Sequence, residues 1–342
     1  MNLNFSSIIG SSLEDLECLA EFLGEEKYRG RQLFDWIYRK QIDDYSKMSD
    51  LPLSFKNKLE KYPLHSLRLI NGNTRESKNT QKYLFALKND KMIESVLMYE
   101  GKRVTICLST QVGCAVGCEF CATAQMGFLQ NLTAGEIIDQ FLQLQKISNQ
   151  KITNVVFMGM GEPFLNYNNS LTAAHLLHHP KGVNMGSWRI TISTSGIIKK
   201  IHQYSKEKQP FKLAISLNGS NEKQRMKIMP LTKTDSFLKL IEVSKDYTMM
   251  ARKKVTFEYV LLSEINDAPK DAMRLKKLLN SINCKLNIIP YNEINGPYKR
   301  PSDNSINSFL SCLKKVSFPV TVRWSKGQDI DAGCGQLVTN IQ

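Results

Sequence analysis

The chain has 342 residues, of which 42% are hydrophobic and 23% are charged, with a formal net charge of +14 and a pI near 9.3. This composition is typical of a globular protein with room for one large and one small domain. It excludes a membrane-spanning protein, because no apolar run approaches the ~18 residues that a span needs.

The positive charge favours a polyanionic partner such as nucleic acid, although a solvated lysine-rich surface would explain it equally well. Residues 1–10 lack the basic segment and the long apolar stretch of an export signal, so a cytoplasmic protein is expected. In a reducing compartment, the eight cysteines indicate metal binding or catalysis rather than disulfide bonds.

Residues 1–66 are predicted to form a small helical domain, with helices at 12–23, 25–39 and 55–62. Cations surround the apolar face of the second helix, namely Lys27, Arg29, Arg31, Arg39 and Lys40. These cations permit RNA docking, but a domain that only packs would carry them too.

Residues 67–99 are predicted to be linking strands, and residues 100–330 to be a core in which strands and helices alternate. Strand patterns occur at 83–87, 92–99, 104–109, 152–159, 189–193, 211–217, 255–262, 286–291 and 320–324. Helical patterns lie between the later strands, and repeated βα units predict a parallel sheet. Residues 331–342 are predicted to be a short tail.

Three cysteines, Cys114, Cys118 and Cys121, stand at spacings of four and three in a loop after a predicted strand. A four-iron cluster normally takes four cysteines, so three would leave one iron open to a ligand. Zinc is the competing ion, but a structural zinc site is closed by four ligands and no histidine lies near this loop. The spacing resembles that of radical S-adenosylmethionine (SAM) enzymes, whose open iron is chelated by SAM.

Polar or glycine-bearing loops follow four further strands, at residues 159–163, 193–196, 216–218 and 290–292. The carboxyl ends of parallel strands are where ligand sites gather in barrels of this kind. Glycines allow close approach of a ligand, and Glu162 can accept a hydrogen bond from a ligand ammonium group. Together with the cysteine loop, these segments predict a polar site for an amino-acid-like ligand.

Three further side chains each allow two interpretations. Glu94 lies on the apolar face of its strand, where burial would raise its pKa toward that of a useful base, or it is an ordinary rim carboxylate. Cys107 either faces the barrel interior or is a small core residue. Cys334 lies between two glycines, which predicts an accessible thiol, or it is an incidental cysteine of the tail.

Three motifs together resemble the RlmN family of radical SAM enzymes, which methylate adenine C2 in ribosomal and transfer RNA. They are Cys107-x6-Cys114-Ala-Val-Gly-Cys118-Glu-Phe-Cys121, Gly159-Met-Gly-Glu-Pro163 and Gly333-Cys334-Gly-Gln-Leu337. The likeness runs from about residue 28 to residue 337. It implies an α/β fold, a partial (β/α)6 radical SAM barrel with a small N-terminal helical, RNA-binding domain and a short C-terminal tail.

The resemblance also implies a role for each residue that matches the family's motifs. Cys114, Cys118 and Cys121 would bind one [4Fe-4S] cluster. The SAM contacts would be Gly161, Glu162, Ser193, Ser216, Leu217, Asn218 and Asn292, with Asn218 standing where the family usually has histidine. Cys334 would carry the methyl group, Cys107 would be its redox partner, and Glu94 would be a proton acceptor.

In the implied reaction, C2 of an adenosine is methylated in 23S rRNA at the peptidyl-transferase centre and in tRNA next to the anticodon. One SAM methylates Cys334, and a second, cleaved by an electron from the cluster, yields a radical that removes a methyl hydrogen. The carbon radical adds to the base, either Glu94 or Cys107 takes the C2 proton, and attack of Cys107 on Cys334 frees the product and leaves a disulfide. The implied partners are both RNAs and a low-potential electron donor such as flavodoxin or ferredoxin, and a monomer without membrane contact is expected.

Two alternatives stay open at this point. A related enzyme of the antibiotic-resistance type methylates C8 of the same adenosine, although residues 161–163 and the Ala124-Gln125 pair resemble the C2 branch. A non-catalytic, metal-stabilised RNA-binding protein would also carry clustered cysteines and a positive charge.

Overall fold

The computed structural model describes residues 7–70 and 75–339 of the chain. The predicted N-terminal domain and tail therefore include residues 1–6 and 340–342, which lie outside the described part. The helices of the described part are α1 Leu13–Phe22, α2 Lys27–Phe34, α3 Leu53–Leu59, α4 Ala122–Gln125, α5 Ala134–Ile147, α6 Tyr167–His178, α7 Ile198–Lys206, α8 Glu222–Ile228, α9 Phe237–Ala251, α10 Pro269–Leu279 and α11 Asp303–Cys312.

The strands are β1 Arg68–Leu69, β2 Arg75–Ser77, β3 Thr80–Ala86, β4 Met92–Glu100, β5 Arg103–Cys107, β6 Gln111–Gly113, β7 Phe128–Asn131, β8 Asn154–Phe157, β9 Ile190–Thr194, β10 Lys212–Ser216, β11 Val255–Leu261, β12 Cys284–Pro290 and β13 Val320–Val322. Strands β6 and β7 form a separate hairpin, and the other strands form one sheet.

The sheet has a parallel part that confirms the predicted alternation of strands and helices. Strands β5, β8, β9, β10, β11, β12 and β13 lie side by side in chain order, each parallel to its neighbour. Their interior residues are branched and aromatic, and helices α5, α6, α7, α9, α10 and α11 lie between successive strands in the chain. This is the radical SAM arrangement of six strand–helix units.

The sheet does not close into a barrel. Its path runs from β1 through antiparallel β3, β4 and β5 into the parallel part and ends at β13, so β1 and β13 are the edges among the described strands. The tail crosses the open side, because Lys82 Nζ on β3 donates to the carbonyl of Asp331 at 3.2 Å. Farther along the tail, Val338 N donates to the carboxylate of Glu94 on β4 at 3.0 Å.

The N-terminal helices pack against the outer face of the core rather than standing apart from it. The same hydrophobic cluster includes Phe34 and Ile37 near the end of α2 and Ile138 and Phe141 of α5. The Phe34 ring also meets the ring of His179, at the end of α6, with centroids 4.8 Å apart. Residues 1–66 were predicted as a domain, and their described part shares its core with the sheet.

Helix α5 begins with a capping box. Thr133 is its N-cap, and Glu136 completes a capping box by accepting from Thr133 N at 2.8 Å. Among residues 7–70 and 75–339, no helix combines the length and the apolar character that crossing a membrane would require.

Candidate active site

The cysteine loop lies between the β6–β7 hairpin and the tail. Gly113 ends β6 at a φ of +71°, and a side chain there would collide with the carbonyl of Gly127, so the hairpin requires glycine. After the last cysteine of the loop, Ala122 N donates to the carbonyl of Gly335 at 2.7 Å, and Thr123 Oγ1 donates to the carbonyl of Leu337 at 2.5 Å. These two bonds bring the tail against the cysteine loop.

Cys114, Cys118 and Cys121 line one cavity of about 160 Å³ at the carboxyl end of the parallel strands. Burial raises the pKa of Cys114 to about 12, and it raises the pKa of Cys118 and of Cys121, with the neighbouring thiols adding to each shift. Thiols of this kind release their protons when a metal binds them.

The donor set fits an iron–sulfur cluster better than a single ion. Within the described ranges, no three His, Cys, Asp or Glu side chains are arranged to hold one metal ion. A single zinc needs all of its ligands around one point, whereas a cluster takes each thiolate on a different iron.

The cavity also contains most of the residues predicted to contact SAM. Gly161, Glu162, Ser193, Ser216 and Asn218 all contribute to its wall. They come from the ends of successive parallel strands, which explains why segments so far apart in sequence converge.

Three of the predicted SAM residues have other contacts. Leu217 is fully buried and is not among the residues of the cavity wall. Asn292 is not in the wall either, and its side-chain amide donates to the carbonyl of Cys334 at 3.0 Å, which fixes the tail. Asn218 lines the cavity, but its side-chain oxygen accepts from Val260 N at 2.9 Å. Asn218 thus connects the segment after β10 to β11 through a hydrogen bond.

Glu162 joins two of the ligand loops. Its carboxylate accepts from Phe164 N at 2.9 Å and from Ser195 N at 2.6 Å, and its own N–H donates to Gln111 at 2.8 Å. Burial raises its pKa, and the backbone donors oppose that shift. A carboxylate with two backbone donors still has lone pairs for a ligand ammonium group.

Cys107 and Cys334 lie on the same interior surface. Cys334 contributes to the wall of the 160 Å³ cavity and to the wall of a second cavity of about 580 Å³, and Cys107 lines only the second. Burial, followed by the proximity of Cys334, raises the pKa of Cys107 to about 12. Cys334 therefore stands where the two cavities meet.

Three charged residues that the sequence analysis missed also belong to this site. Arg323 lines both cavities, and the positive charge of its guanidinium faces Cys334, Glu258 and Cys107. Glu258 lines the SAM-side cavity, and its Oε2 is buried without a hydrogen-bond partner among the described residues. Such an orphaned acceptor fits a ligand that brings a donor into the cavity.

Arg225 is the third of these residues. It is fully buried on α8, and it donates to the carbonyls of Ser195, Ser216 and Leu217. It thereby connects two of the ligand loops. The only sequence signal was a lone arginine in an amphipathic stretch, which is normally solvent-exposed.

Glu94 is buried, but it is not part of either cavity wall. Its Oε1 pairs with Lys82 Nζ at 3.0 Å while its Oε2 accepts from Val338 N. Burial raises the pKa of Glu94, and Lys82 opposes the shift. In this structure, Glu94 holds the tail against β4.

The cations predicted to permit RNA docking mostly have partners within the N-terminal helices. Arg31 pairs with Glu17 at 2.8 Å, Lys27 with Glu21 at 3.6 Å, and Arg39 with Asp35. Their charges are therefore largely offset at the surface of that domain.

Comparison with known proteins identifies the class of this fold and site. Residues 108–275 match the family model of the radical SAM superfamily. A solved radical SAM methyltransferase from Sphaerobacter thermophilus is 39% identical, with a TM-score of 0.93 that covers 97% of this chain and 98% of that one. The protein is a radical SAM methyltransferase, a class that uses a [4Fe-4S] cluster and SAM.

The particular family follows from the whole length of the chain. Residues 7–63 match the model of the ribosomal RNA large subunit methyltransferase N-terminal domain. The dual-specificity RNA methyltransferase RlmN of Lawsonia intracellularis is 42% identical over 349 residues, covering 98% of this chain and 97% of the relative. A probable RlmN of Aquifex aeolicus is 42% identical and covers 96% of each chain. The chain belongs to the RlmN family of radical SAM RNA methyltransferases.

Proposed function

We propose that this enzyme methylates C2 of adenosine in 23S rRNA, at the peptidyl-transferase centre, and in tRNA next to the anticodon. The observation that carries the proposal is the position of Cys334 in the walls of both cavities. A thiol in that position can accept a methyl group on the SAM side and present it to a base on the other side. Direct SN2 transfer to C2 would fail, because that carbon is not nucleophilic.

In this proposal, Cys114, Cys118 and Cys121 hold the [4Fe-4S] cluster, and the fourth iron stays open to SAM. Gly161, Glu162, Ser193 and Ser216 would hold SAM in the cavity, with Leu217, Asn218 and Asn292 acting from behind its wall. Glu258 is added because its buried Oε2 can accept from a ribose hydroxyl of SAM. When bound, the cluster and SAM would supply an electron and a radical able to remove a hydrogen atom from a methyl group, with two SAM molecules used per turnover.

The thiols would complete the transfer. Cys334 would carry the methyl group, and Cys107 would attack the Cys334 sulfur, forming a disulfide and breaking the sulfur–carbon bond; the freed carbon would take up one proton to become the methyl group, and the unpaired electron of the adduct would leave with the electron carrier. The C2 proton would pass to Glu94 or to Cys107. Because Glu94 is occupied by Lys82 and Val338 in this structure, it would need the tail to move before it could act.

The proposed partners are the two RNAs and a low-potential electron donor such as flavodoxin or ferredoxin, with the enzyme acting as a monomer. The helical domain of residues 1–66 would contribute to RNA docking. Its cations are largely paired with its own carboxylates, so most of the attraction for phosphates is expected elsewhere on the molecule.

Replacement of each thiol tests the proposal. Cys334→Ala should still cleave SAM but should not methylate RNA, and full RNA methylation by this variant would remove Cys334 as the carrier. Cys107→Ala should accumulate a covalent protein–RNA adduct, detected by mass spectrometry after anaerobic turnover. Wild-type protein supplies the control for both variants.

Product analysis tests the position of methylation. Digested RNA from the wild-type reaction should contain 2-methyladenosine, and 8-methyladenosine would favour the antibiotic-resistance type of enzyme instead. Anaerobically reconstituted protein should contain iron and sulfide, whereas bound zinc in a colourless protein would favour the non-catalytic alternative.

A further inference from the structure

A second, larger cavity extends from the tail to the amino end of the parallel strands, where its wall includes Arg103 and Lys285 of β5 and β12. Its volume of about 580 Å³ falls within the ~300–1,000 Å³ that is usual for ligand sites. Cys107 and Cys334 lie in its wall, and Arg103, Lys285 and Trp324 lie at its solvent side. Trp324, just after β13, is 54% exposed; the guanidinium of Arg300 lies 5.3 Å from the centroid of its ring, and the opposite face of the ring is the one available for stacking.

Three cations on three different strands lie at this end of the sheet, and two of them, Arg103 and Lys285, are in the cavity wall. Arg103, Lys212 and Lys285 are at or next to the first residues of β5, β10 and β12. Lys212 shares a face of its strand with Ser216, which lines the SAM-side cavity, so side-chain alternation places Lys212 on the interior face of the sheet. Burial lowers the pKa of Lys212, and the positive charges of Arg103 and Lys285 lower it further.

None of these three cations forms an ion pair within the described residues, although the charge of Lys285 acts on Glu258 and Glu100 lines the same cavity. Across residues 7–70 and 75–339, none of Arg103, Lys212 and Lys285 is within 4.0 Å of a carboxylate oxygen. Lys326, on the same cavity, differs because it pairs with Glu100 at 3.6 Å. Like charges held together without a partner favour the binding of an anion that bridges them.

We propose that the target nucleotide of the RNA enters the sheet through this amino-terminal mouth. Its flanking phosphates contact Arg103, Lys212 and Lys285, and its base extends along the 580 Å³ cavity toward Cys334. Trp324 offers a surface on which a neighbouring base stacks. The inference rests on the proposed function, because it assigns the position of the RNA that the methyl group of Cys334 must reach.

Two observations favour a nucleotide over a smaller anion. Three separated cations match the repeated phosphates of a nucleic-acid chain, and an unpaired or flipped base needs an enclosed pocket of its own. The carboxyl end of the sheet is already lined by the cysteine loop and the residues proposed for SAM. Entry from the opposite end lets both ligands reach Cys334 at once.

The first experiment removes the three charges together. Full-length Arg103→Ser/Lys212→Ser/Lys285→Ser protein and wild type are titrated with a fluorescent RNA stem–loop that has an unpaired adenosine, at several salt concentrations. We expect the affinity to fall by about tenfold or more, and the slope of log K against log salt to decrease by about 2, since each single-strand phosphate contact contributes about 0.7.

A matched control removes the same charge from the other end of the sheet. Lys199, Lys239 and Lys270 are exposed, and each lies in the first turn of an outer helix. The Lys199→Ser/Lys239→Ser/Lys270→Ser variant should keep the wild-type salt slope. The inference would be overturned if the mouth variant kept the wild-type salt slope. It would also be overturned if the control variant lost as much RNA affinity as the mouth variant.

The second experiment separates this inference from the proposed function. Methylation of Cys334 by SAM in the absence of RNA is followed by the mass of the intact protein. The mouth variant should gain the methyl group as wild type does and should then transfer it poorly to the stem–loop. If wild type does not methylate Cys334, the proposed function fails; if the mouth variant transfers the group normally, only the entry route fails.

A single aromatic substitution tests RNA binding at this cavity through base stacking rather than through charge. Trp324→Ala should weaken binding of the stem–loop by about tenfold, as expected for the loss of one stacked base, with little change in the salt slope. Leu238→Ala removes an exposed apolar side chain from the first turn of α9, at the other end of the sheet, and it should bind RNA as wild type does. Unchanged affinity in Trp324→Ala would contradict stacking at the mouth.

Discussion

Arg323 is the side chain on which the chemistry of the two thiols depends most directly. Its guanidinium is close enough to Cys334 and Cys107 for each thiol to raise its pKa, with Cys334 having the larger effect. The reciprocal effect of the arginine opposes the burial that raises the pKa of Cys107 to about 12. A cation beside a buried thiol pair favours the thiolate, which is the form that exchanges disulfides.

We therefore expect Arg323→Gln to reduce the reactivity of the thiol pair. Without the guanidinium, the thiolate form of the pair is less favoured. At neutral pH, alkylation of the thiols should therefore slow by roughly tenfold, the change in rate that one pKa unit produces. The measurement is the pH dependence of alkylation of Cys107 and Cys334, followed by peptide mass spectrometry. Arg323→Lys keeps the charge and should react nearly as wild type; equal rates in all three proteins would mean that the guanidinium does not activate the thiols.

The sequence predicted the three clustered cysteines and the two separate thiols, because cysteine is rare and its spacing is informative. It did not predict Arg323, Glu258 or Arg225. Each is a single charged residue on an ordinary strand or one of several on an ordinary helix, and such residues are normally solvent-exposed. Only the folded chain shows that Arg225 connects Ser195 and Ser216, two loops that lie on different strands.

At the scale of elements, a buried carboxylate on α5 joins the N-terminal helices to the sheet. Asp139 is fully buried and accepts from His65 Nδ1 at 2.6 Å and from the backbone N–H groups of Ser66 and Leu67 at 2.8 and 2.9 Å. Burial alone would lower the pKa of His65. The hydrogen bond to Asp139, with the charges of Asp139 and Asp43, outweighs burial and raises it, against an opposing effect of Lys146.

This contact should make stability depend on pH. Because folding raises the pKa of His65, the stabilisation is complete below the unfolded value of about 6.5 and is lost as the pH rises through the higher folded value. The melting temperatures of wild type and His65→Gln are compared from about pH 5.5 to about pH 8.5 around that value. The difference in unfolding free energy between wild type and His65→Gln should decrease with rising pH, by about 1.4 kcal/mol for each unit by which folding raises the pKa of His65. A difference that does not vary with pH would contradict a charged His65.

The long elements could be predicted from sequence and several short ones could not. Alternation over residues 92–99 predicted β4 almost to its ends, and a five-residue pattern at 83–87 predicted β3. The β6–β7 hairpin and α4 are too short to carry such a pattern. They are held by the tail and by the close approach of Gly113 to Gly127, which no local rule reveals.

At the scale of the whole molecule, the tail covers the open side of the sheet by contacting the antiparallel strands β3 and β4. Lys82 and Glu94 form a buried ion pair under the tail, with side chains 5% and 9% exposed. Lys82 also donates to Asp331, and Glu94 accepts from Val338, so this one pair contacts both ends of the segment that carries Cys334.

Breaking this pair should release the tail. Lys82→Met leaves the Glu94 carboxylate buried without its cation, and removal of one partner of a buried pair typically costs about 3–5 kcal/mol. We expect lower stability in urea and faster alkylation of Cys334. Lys82→Met/Glu94→Leu restores much of the stability because no lone charge remains buried, and an unaltered alkylation rate in the single variant would show that the pair does not restrain the tail.

Cys334 is reached from two ends of one sheet, and this has a kinetic consequence. Two ligands that approach one sulfur from opposite directions do not compete for space, so either could bind first. On enzyme already methylated at Cys334, inhibition by S-adenosylhomocysteine should then be noncompetitive toward RNA, and the second SAM and the RNA should add in random order.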